Sequence, residues 1–170
     1  DYEGGGMCDM GQHHYDPEQW TYAKDHTSPV EITPFAPPAH PEVTGMWAWV
    51  ELKYADGFRF VMESGEWGPK YNSRPERDVS MNDLSAENQK KIKAMPDPEP
   101  LLSFGEAVKQ RKKAGGHPEA AHRAACILHL ANLSIRLGRK LHYDPDKEVF
   151  VNDDEANRFL APPMSAPWRV

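Results

Sequence analysis

The clearest pattern of apolar and polar positions lies between residues 46 and 63. Residues 46–54 alternate, residues 55–57 (Ala-Asp-Gly) have the composition of a turn, and residues 58–63 alternate again. A period of two places successive side chains on opposite faces of a strand. The segment is therefore predicted to form an antiparallel β-hairpin.

Both faces of the first predicted strand carry large apolar groups. One face holds Met46, Ala48, Val50, Leu52 and Tyr54, and the other holds Trp47, Trp49, Glu51 and Lys53. A sheet with one solvated face would not normally present two tryptophans to water. Trp47 and Trp49 are therefore expected to meet either another subunit or loops of the same chain.

The strongest helical prediction covers residues 118–137. Pro118 suits the first turn of a helix, and Gly138 suits its end. Small residues along this segment allow close packing on a sheet: Ala121, Ala124, Ala125 and Ala131. This segment is predicted to be the core helix.

Shorter helices are predicted on either side of the hairpin. Residues 9–15 have a helical pattern, and Asp16 before Pro17 has the form of an N-cap, which predicts a restart or kink there. Leu84, Ile92 and Met95 fit a short amphipathic helix that ends at residues 96–98. A further helix is predicted from the capping box of residues 103–106 to the glycines at 115–116.

The remaining segments are predicted to be irregular. Residues 28–43 are rich in proline and are expected to form an extended connection, and residues 64–82 are expected to form a long polar loop. At 170 residues the chain is long enough for one domain and short for two. We therefore predict a single α+β domain over residues 1–170, with an open, largely antiparallel sheet covered on one face by helices.

Composition narrows the possible partners. The net charge is −6 and no segment is conspicuously basic, so nucleic acid and anionic membranes are not expected. No uninterrupted apolar run reaches about 18 residues, which argues against a membrane span. Cys8 and Cys126 are too few for a disulfide framework, and neither has a partner at metal-binding spacing.

The candidate chemistry lies near the beginning of the sequence. Asp9 and His13 are four residues apart, so a helix would place them on one face, where a carboxylate can orient an imidazole that moves a proton. The alternative is that Asp9 caps the helix and His13 is a buried structural histidine. Asp16 could hydrogen-bond a substrate or cap a helix.

Two other chemistries are weaker. Asp9, His13, His14 and Asp16 could supply metal ligands, but spacing identifies no third ligand, so no metal is predicted. His14 points about 100° away from His13 on a helix and is expected to pack or face solvent. Cys8 has nothing nearby that would lower its pKa, as a nucleophile requires.

Three segments, taken in order, resemble a known family. The first is G-G-G-x-x-D-x-G-x-H-x-x-D-x-x-x-W over residues 4–20, with one residue fewer before the aspartate than the family pattern. The second comprises F-G-E-A-V-K-Q-R-K from residue 104 and a later segment that starts with H-R at residue 122 and ends with L-G-R-K-L. The third is Y-D-P-D-K-E at residue 143, followed by residues 153–160 and a closing A-P-W-R at residue 166. Together they resemble the C-terminal domain of the Gfo/Idh/MocA family of NAD(P)-dependent oxidoreductases, particularly bacterial members that act on sugars.

The resemblance implies roles for several residues. Asp9 and His13 match the family's catalytic aspartate and histidine, and Asp16 and His122 become candidate substrate contacts. Trp47 and Trp49 fall on the sheet face through which family members commonly associate, so a homo-oligomer is expected. The implied substrate is a sugar, cyclitol or glycoside with a secondary hydroxyl, and the implied cofactor of the intact protein is NAD or NADP.

The sequence lacks the parts that would bind that cofactor. No strand is followed by G-x-G-x-x-G and a helix, and the family's catalytic lysine in an E-K-P motif is absent. We therefore expect a C-terminal substrate-binding and oligomerisation half of a longer protein, with no cofactor bound to this chain and no activity alone. The alternatives are an NAD-dependent glycosidase of the same superfamily and a non-catalytic sugar-binding or dimerisation module. A bacterial cytoplasmic or periplasmic location stays open.

Overall fold

The computed structural model describes residues 5–40, 45–65, 67–71, 80–96, 100–161 and 166. Helices and strands occur in the order α1 (Gly5–Asp9), α2 (Gly11–Thr21), β1 (Glu31–Phe35), β2 (Trp49–Lys53), β3 (Arg59–Glu63), α3 (Ala86–Lys93), α4 (Phe104–Gln110), α5 (Pro118–Leu137), β4 (Leu141–Asp144), β5 (Val149–Phe150) and α6 (Asp154–Asn157). The strands form an open sheet in the order β3-β2-β1-β4-β5, in which all described neighbours are antiparallel. The predicted α+β fold is confirmed.

The hairpin predicted from alternation is strands β2 and β3. Val50 pairs with Met62 and Leu52 with Phe60, and all four side chains are buried. The turn between the strands places Gly57 at a φ of 88°, a conformation that glycine adopts without steric cost. The predicted inward face is confirmed from Ala48 to Tyr54, whereas Met46 is exposed.

Strand β1 lies inside the segment that we predicted to be an extended connection. It is the central strand and contains Pro34, which opposes Val50 of β2. Pairing with β4 involves only Glu31 and Ile32, so Pro34 lies where β1 has a single neighbour. Proline tolerates such edge-like positions, which explains why a proline-rich segment could still supply a strand.

The predicted restart at Asp16 is wrong. Helix α2 runs from Gly11 to Thr21 with Pro17 inside it, and the break lies earlier, at Met10 between α1 and α2. The N–H of Met10 still donates to the carbonyl of Gly6, and the N–H of His13 donates to the carbonyl of Met10. The two helices therefore form an almost continuous segment, and Asp16 does not cap it.

Helix α5 covers one face of the sheet and has the bounds that we predicted. It packs on β1 and β2 as well as on α1 and α2. Its buried face is formed by Ala124, Ile127, Leu128, Leu130, Ala131, Ser134 and Ile135. Five of them, Ile127, Leu128, Leu130, Ala131 and Ile135, join the inward residues of the strands in one hydrophobic core, so the sheet has a helical side and an open side.

The last two strands are held to the C-terminal helix by polar contacts. The backbone N–H of Phe150 donates to Asn157 Oδ1, and Asn157 Nδ2 donates to the carbonyl of Phe150, at 2.7 and 2.9 Å. Arg139 makes a two-pronged ion pair with Asp153, whose Oδ1 also accepts from the N–H of Ala156 at the start of α6. These contacts hold α6 against β5 and against Arg139 in the turn between α5 and β4.

Residues 72–117 form a second compact unit, and residues 1–71 with 118–170 form the first. In the second unit Ser103 and Glu106 form the predicted capping box. Helix α4 ends at Gln110 rather than at the predicted glycines, because Arg111 adopts a left-handed conformation at its C-cap. Helix α3 has no buried residue, and Ile92 and Met95 are exposed, contrary to the amphipathic packing expected.

Several predicted features lie outside the described residues. They are Gly4 of the triple glycine, residues 41–43 of the predicted extended connection, Glu66 and residues 72–79 of the predicted polar loop, residues 97–98 after the short helix, and residues 167–169 of the closing motif. Within the described part of the chain, no helix is long and apolar enough to cross a membrane.

Candidate functional site

The α1–α2 segment presents one outward stripe. His13, Asp16 and Trp20 recur at helical spacing on α2, and Asp9 ends α1 four residues before His13. Asp9, His13 and Trp20 are exposed, and Asp16 is half-buried. Trp20 is 60% exposed, which is unusual for a tryptophan. We call these four residues the outward stripe.

The opposite face of α2 explains why this stripe faces outward. Gly11 is buried beside Leu128 of α5, where a Cβ atom would approach Leu128 Cδ2 to 3.0 Å. Gln19 is buried two turns later and accepts a hydrogen bond of 2.9 Å from the Tyr54 hydroxyl. Burial raises the pKa of Tyr54 well above its usual value, so this hydroxyl stays a donor. The two contacts fix the rotation of α2.

Asp9 ends α1 and His13 lies in the first turn of α2, and the two side chains are not bonded to each other. Within the described residues, neither side chain has a hydrogen bond or ion pair. Their carboxylate and imidazole are therefore available to a molecule that approaches the stripe. The structure contradicts the alternative that His13 is a buried structural histidine, because its side chain is exposed.

His122 lies in a different environment. It is on the second turn of α5, where its Nε2 is 2.7 Å from Glu148 Oε1 and 3.5 Å from Cys126 Sγ. Arg123 completes the cluster through Glu148 and Glu119. Burial is the main cause that raises the pKa of Cys126, so this thiol stays protonated at neutral pH. His122 does not line the cleft described next, and its role in substrate contact stays a prediction.

A cleft of about 690 Å³ opens beside the outward stripe. Its described lining comprises Gly6, Met7, Met10, Gly11, His14, Tyr15, Gly45, Met46, Trp47, Glu63, Ser64, Trp67, Asn132 and Ile135. The cleft thus lies between the α1–α2 segment, the C-terminal half of α5, and the ends of the hairpin. Its volume falls in the range of about 300–1,000 Å³ that is typical of small-molecule sites.

His14 is exposed, in keeping with the prediction that it packs or faces solvent, and it also lines the cleft. The signal was present, because Met7, Met10 and His14 recur at helical spacing on one side of the segment. That side was not recognised because the opposite wall of the cleft comes from distant positions in the chain. His13 belongs to the stripe, and its neighbour His14 belongs to the cleft.

The two predicted interface tryptophans occupy different places. Trp47 precedes β2, packs half-buried against the core and lines the cleft, while its carbonyl accepts a hydrogen bond from Ser64 Oγ. Trp49 lies on the open side of the sheet and stacks on Phe35 with ring centroids 5.2 Å apart. Tyr71 meets the Trp49 ring edge-on, and Trp67 packs against Phe35. Trp49 is thus partly covered by its own chain.

The sequence comparison supplies the family. A family profile described as "Oxidoreductase family, C-terminal alpha/beta domain", of the Gfo/Idh/MocA group, matches residues 1–170. The chain belongs to this family. No curated protein and no solved structure matches the chain.

The Gfo/Idh/MocA match confirms the resemblance found in the three motifs and makes this chain a member of an oxidoreductase family. Among the described residues, no strand leads through a glycine-rich turn into a helix, which is the usual arrangement of a dinucleotide-binding unit. The described residues also bring together no group of three His, Cys, Asp or Glu side chains that could hold a metal ion. What this Gfo/Idh/MocA domain offers chemically is the stripe with Asp9 and His13 and the adjoining cleft.

Proposed function

We propose that this domain is the substrate-side half of an NAD(P)-dependent oxidoreductase that acts on a secondary hydroxyl of a sugar, cyclitol or glycoside. The observation that carries the proposal is the exposed Asp9–His13 pair in a chain that belongs to an oxidoreductase family. The dinucleotide is proposed to bind to a second domain that covers the outward stripe. Exposed Trp20 would become buried in that contact.

In the proposed reaction this domain accepts the proton and the dinucleotide on the second domain accepts the hydride. Oxidation of a secondary alcohol removes a proton from the oxygen and a hydride from the carbon, so His13 would take the proton and the dinucleotide is the proposed hydride acceptor. Histidine suits this role because its ordinary pKa lies near neutral pH. Asp9 would orient the imidazole or accept a hydrogen bond from a substrate hydroxyl. Asp16, farther along the stripe, would contact a second hydroxyl.

The decisive experiment removes the imidazole. Turnover of NAD(P) with sugars and cyclitols would be measured for this domain combined with its cofactor-binding domain. His13→Ala should lower kcat by about a hundredfold or more, as expected for loss of a general base. His129→Ala is the matched control, because His129 is exposed on α5 and lies outside the stripe and the cleft. Undiminished turnover of His13→Ala, with its circular dichroism unchanged, would refute the proposal.

The proposal includes a homo-oligomer formed through the open side of the sheet. Phe35, Trp49, Trp67 and Tyr71 form a contiguous aromatic cluster there, and Phe35 is 41% exposed. Aromatic residues are enriched in the buried centres of protein interfaces. The cluster therefore supports a role for Trp49 in association, whereas Trp47 is placed to contact a ligand in the cleft.

A further inference from the structure

The polar groups of the cleft come from three separate elements. His14 is on α2, Asn132 is on α5, and Glu63 ends β3. Within the described residues, the side chains of His14 and Asn132 have no hydrogen-bond partner. Glu63 is held in place, because its Oε1 accepts a hydrogen bond of 2.6 Å from the backbone N–H of Tyr71. The carboxylate has capacity for further donors.

These groups suit hydroxyls particularly well. The Asn132 amide supplies both a donor and an acceptor, the His14 imidazole supplies one of each when neutral, and the Glu63 carboxylate accepts. A hydroxyl both donates and accepts, so each of the three side chains can pair with one. A binding site with a few convergent polar groups among apolar walls is typical of small-molecule recognition.

The charge of the cleft disfavours a phosphorylated ligand. Its described lining contains no lysine or arginine, and Glu63 contributes a negative charge. Arginine and lysine are the cationic side chains that commonly recognise phosphate in proteins, and the described lining supplies neither. A phosphorylated sugar would bring a negative charge towards Glu63 with no cation to balance it, which is unfavourable.

Two indole rings supply the apolar part of the cleft. Trp47 is anchored in the core, and Trp67 is held against Phe35 with ring centroids 6.1 Å apart. Met7 and Met10 add flexible apolar side chains on the helical side. The rigid aromatic surfaces can cover the C–H faces of a ring-shaped ligand while its hydroxyls meet the polar groups.

We propose that this cleft is the site that selects an uncharged, unphosphorylated, hydroxyl-rich ring, with His14, Asn132 and Glu63 as its hydrogen-bond partners. The inference rests on the proposed function for the kind of ligand and adds its location and its charge. A ligand in the cleft lies next to the reactive groups, because His14 and Met10 line the cleft while their neighbours His13 and Asp9 belong to the stripe. His14 is thus a specificity residue beside the proton-transfer residue.

Binding to the chain itself tests the inference without a cofactor. Saturation-transfer NMR would be recorded with D-glucose, N-acetyl-D-glucosamine and myo-inositol, and with D-glucose 6-phosphate as the charged counterpart. We expect saturable transfer to at least one neutral probe and at least tenfold weaker binding of the phosphorylated sugar. Failure of all three neutral probes to bind, or equal binding of the phosphorylated one, would overturn the inference.

Variants locate the binding in the cleft. Asn132→Leu keeps the size of the side chain but removes its hydrogen bonds, and His14→Leu does the same on α2; each should raise the Kd of the neutral probe about tenfold. His129→Leu should leave the Kd unchanged, because His129 lies on the same helix as Asn132 but outside the cleft. An unchanged Kd in both Asn132→Leu and His14→Leu would contradict the assignment.

Glu63→Gln tests the charge argument separately. This change keeps the shape of the side chain and removes its charge. The ratio of the Kd of D-glucose 6-phosphate to the Kd of the neutral probe should therefore fall severalfold. A preference that is unchanged in Glu63→Gln would show that the carboxylate does not select the ligand.

The inference and the proposed function fail in different experiments. If no probe binds in the cleft while His13→Ala still abolishes turnover, the proposed function stands and the cleft assignment falls. If probes bind as expected while His13→Ala turns over normally, the cleft assignment stands and the catalytic proposal falls.

Discussion

Gly11 is the residue that brings α2 close to α5. A methyl group at this position would lie 3.0 Å from Leu128 Cδ2 and 3.4 Å from the Tyr15 ring. Leu128 is fully buried in the core and has little freedom to move. The glycine therefore determines how deeply the buried face of α2 sits, and hence where the outward stripe is held.

We predict different effects on stability for two glycines of this segment. Gly11→Ala should lower the free energy of unfolding by about 1 kcal/mol, because overpacking costs about 1–3 kcal/mol and better helix propensity returns about 1. Gly6→Ala is the matched control, since its added methyl group meets no atom within 4 Å; it should leave stability unchanged or raise it slightly. Urea unfolding followed by circular dichroism measures both. Equal effects of the two substitutions would contradict the role given to Gly11.

At this scale the spacing of Asp9 and His13 predicted that both lie on one helical face, and the structure exposes both side chains. The position of His14 in the cleft could not be predicted in the same way. Its surroundings depend on Trp47, Glu63 and Asn132, which are brought to it by long-range packing that no local pattern encodes.

Helix α2 illustrates how tertiary contacts outweigh a local signal. Asp-Pro is a good start for a helix, so the sequence predicted a restart at Asp16. The observed helix passes through Pro17, and proline leaves the carbonyl of His13 without its usual N–H partner. The buried contacts of Gly11 and Gln19 on either side keep both halves of α2 in register with the core.

The short helix α6 depends on the charge of Asp153. The paired Arg139 guanidinium is the main cause that lowers the pKa of Asp153 to about 2, and the N–H of Ala156 adds to it. A carboxyl group whose pKa is lower in the folded state stabilises the fold above its ordinary pKa of 3.8. That stabilisation is lost as the pH falls towards 2.

Asp153→Asn therefore should destabilise the chain in a pH-dependent way. Asparagine can still cap α6, so the loss at pH 7 is that of the ion pair, about 1 kcal/mol after screening by solvent around half-exposed Arg139. The difference from the unmodified chain should narrow between pH 4 and pH 2 as Asp153 becomes protonated. Urea unfolding at pH 7 and pH 2.5 measures it.

Glu155→Gln is the control for this ion pair. Glu155 binds the same arginine at 3.0 Å but is largely exposed, so its replacement should change stability by less than about 0.5 kcal/mol. Equal losses in the free energy of unfolding for Glu155→Gln and Asp153→Asn at both pH values would contradict this prediction. They would show that any carboxylate paired with Arg139 contributes equally, with no special role for the capping carboxylate of Asp153.

For the whole molecule, the open side of the sheet predicts self-association. The domain measured alone should be an oligomer, and Trp49→Glu should shift it to the monomer, because a charge would be buried in the aromatic cluster without a partner. Trp20→Glu makes the same replacement at a tryptophan on the outward stripe and should leave the oligomer intact. Multi-angle light scattering distinguishes these results; an oligomer that persists in Trp49→Glu would exclude this face as the interface.

The overall architecture was predictable because its main elements carry strong local patterns. The hairpin follows from alternation and a glycine turn, and α5 from its length, small residues and terminal proline and glycine. Strand β1 was not predicted, because the prolines of its segment indicated an irregular connection. The strands with which it pairs also lie far away in the sequence. The division of the chain at residues 72 and 117 likewise reflects packing rather than any local signal.

The exposure of Trp20 gives the molecule an optical property. Trp47, Trp49 and Trp67 are half-buried, so Trp20 is the described indole in fullest contact with water, and we expect it to emit at longer wavelength than the other three. Any surface that covers the stripe will remove that water and shift the emission to shorter wavelength. The chain therefore carries its own fluorophore for titrating a covering domain, without an attached label.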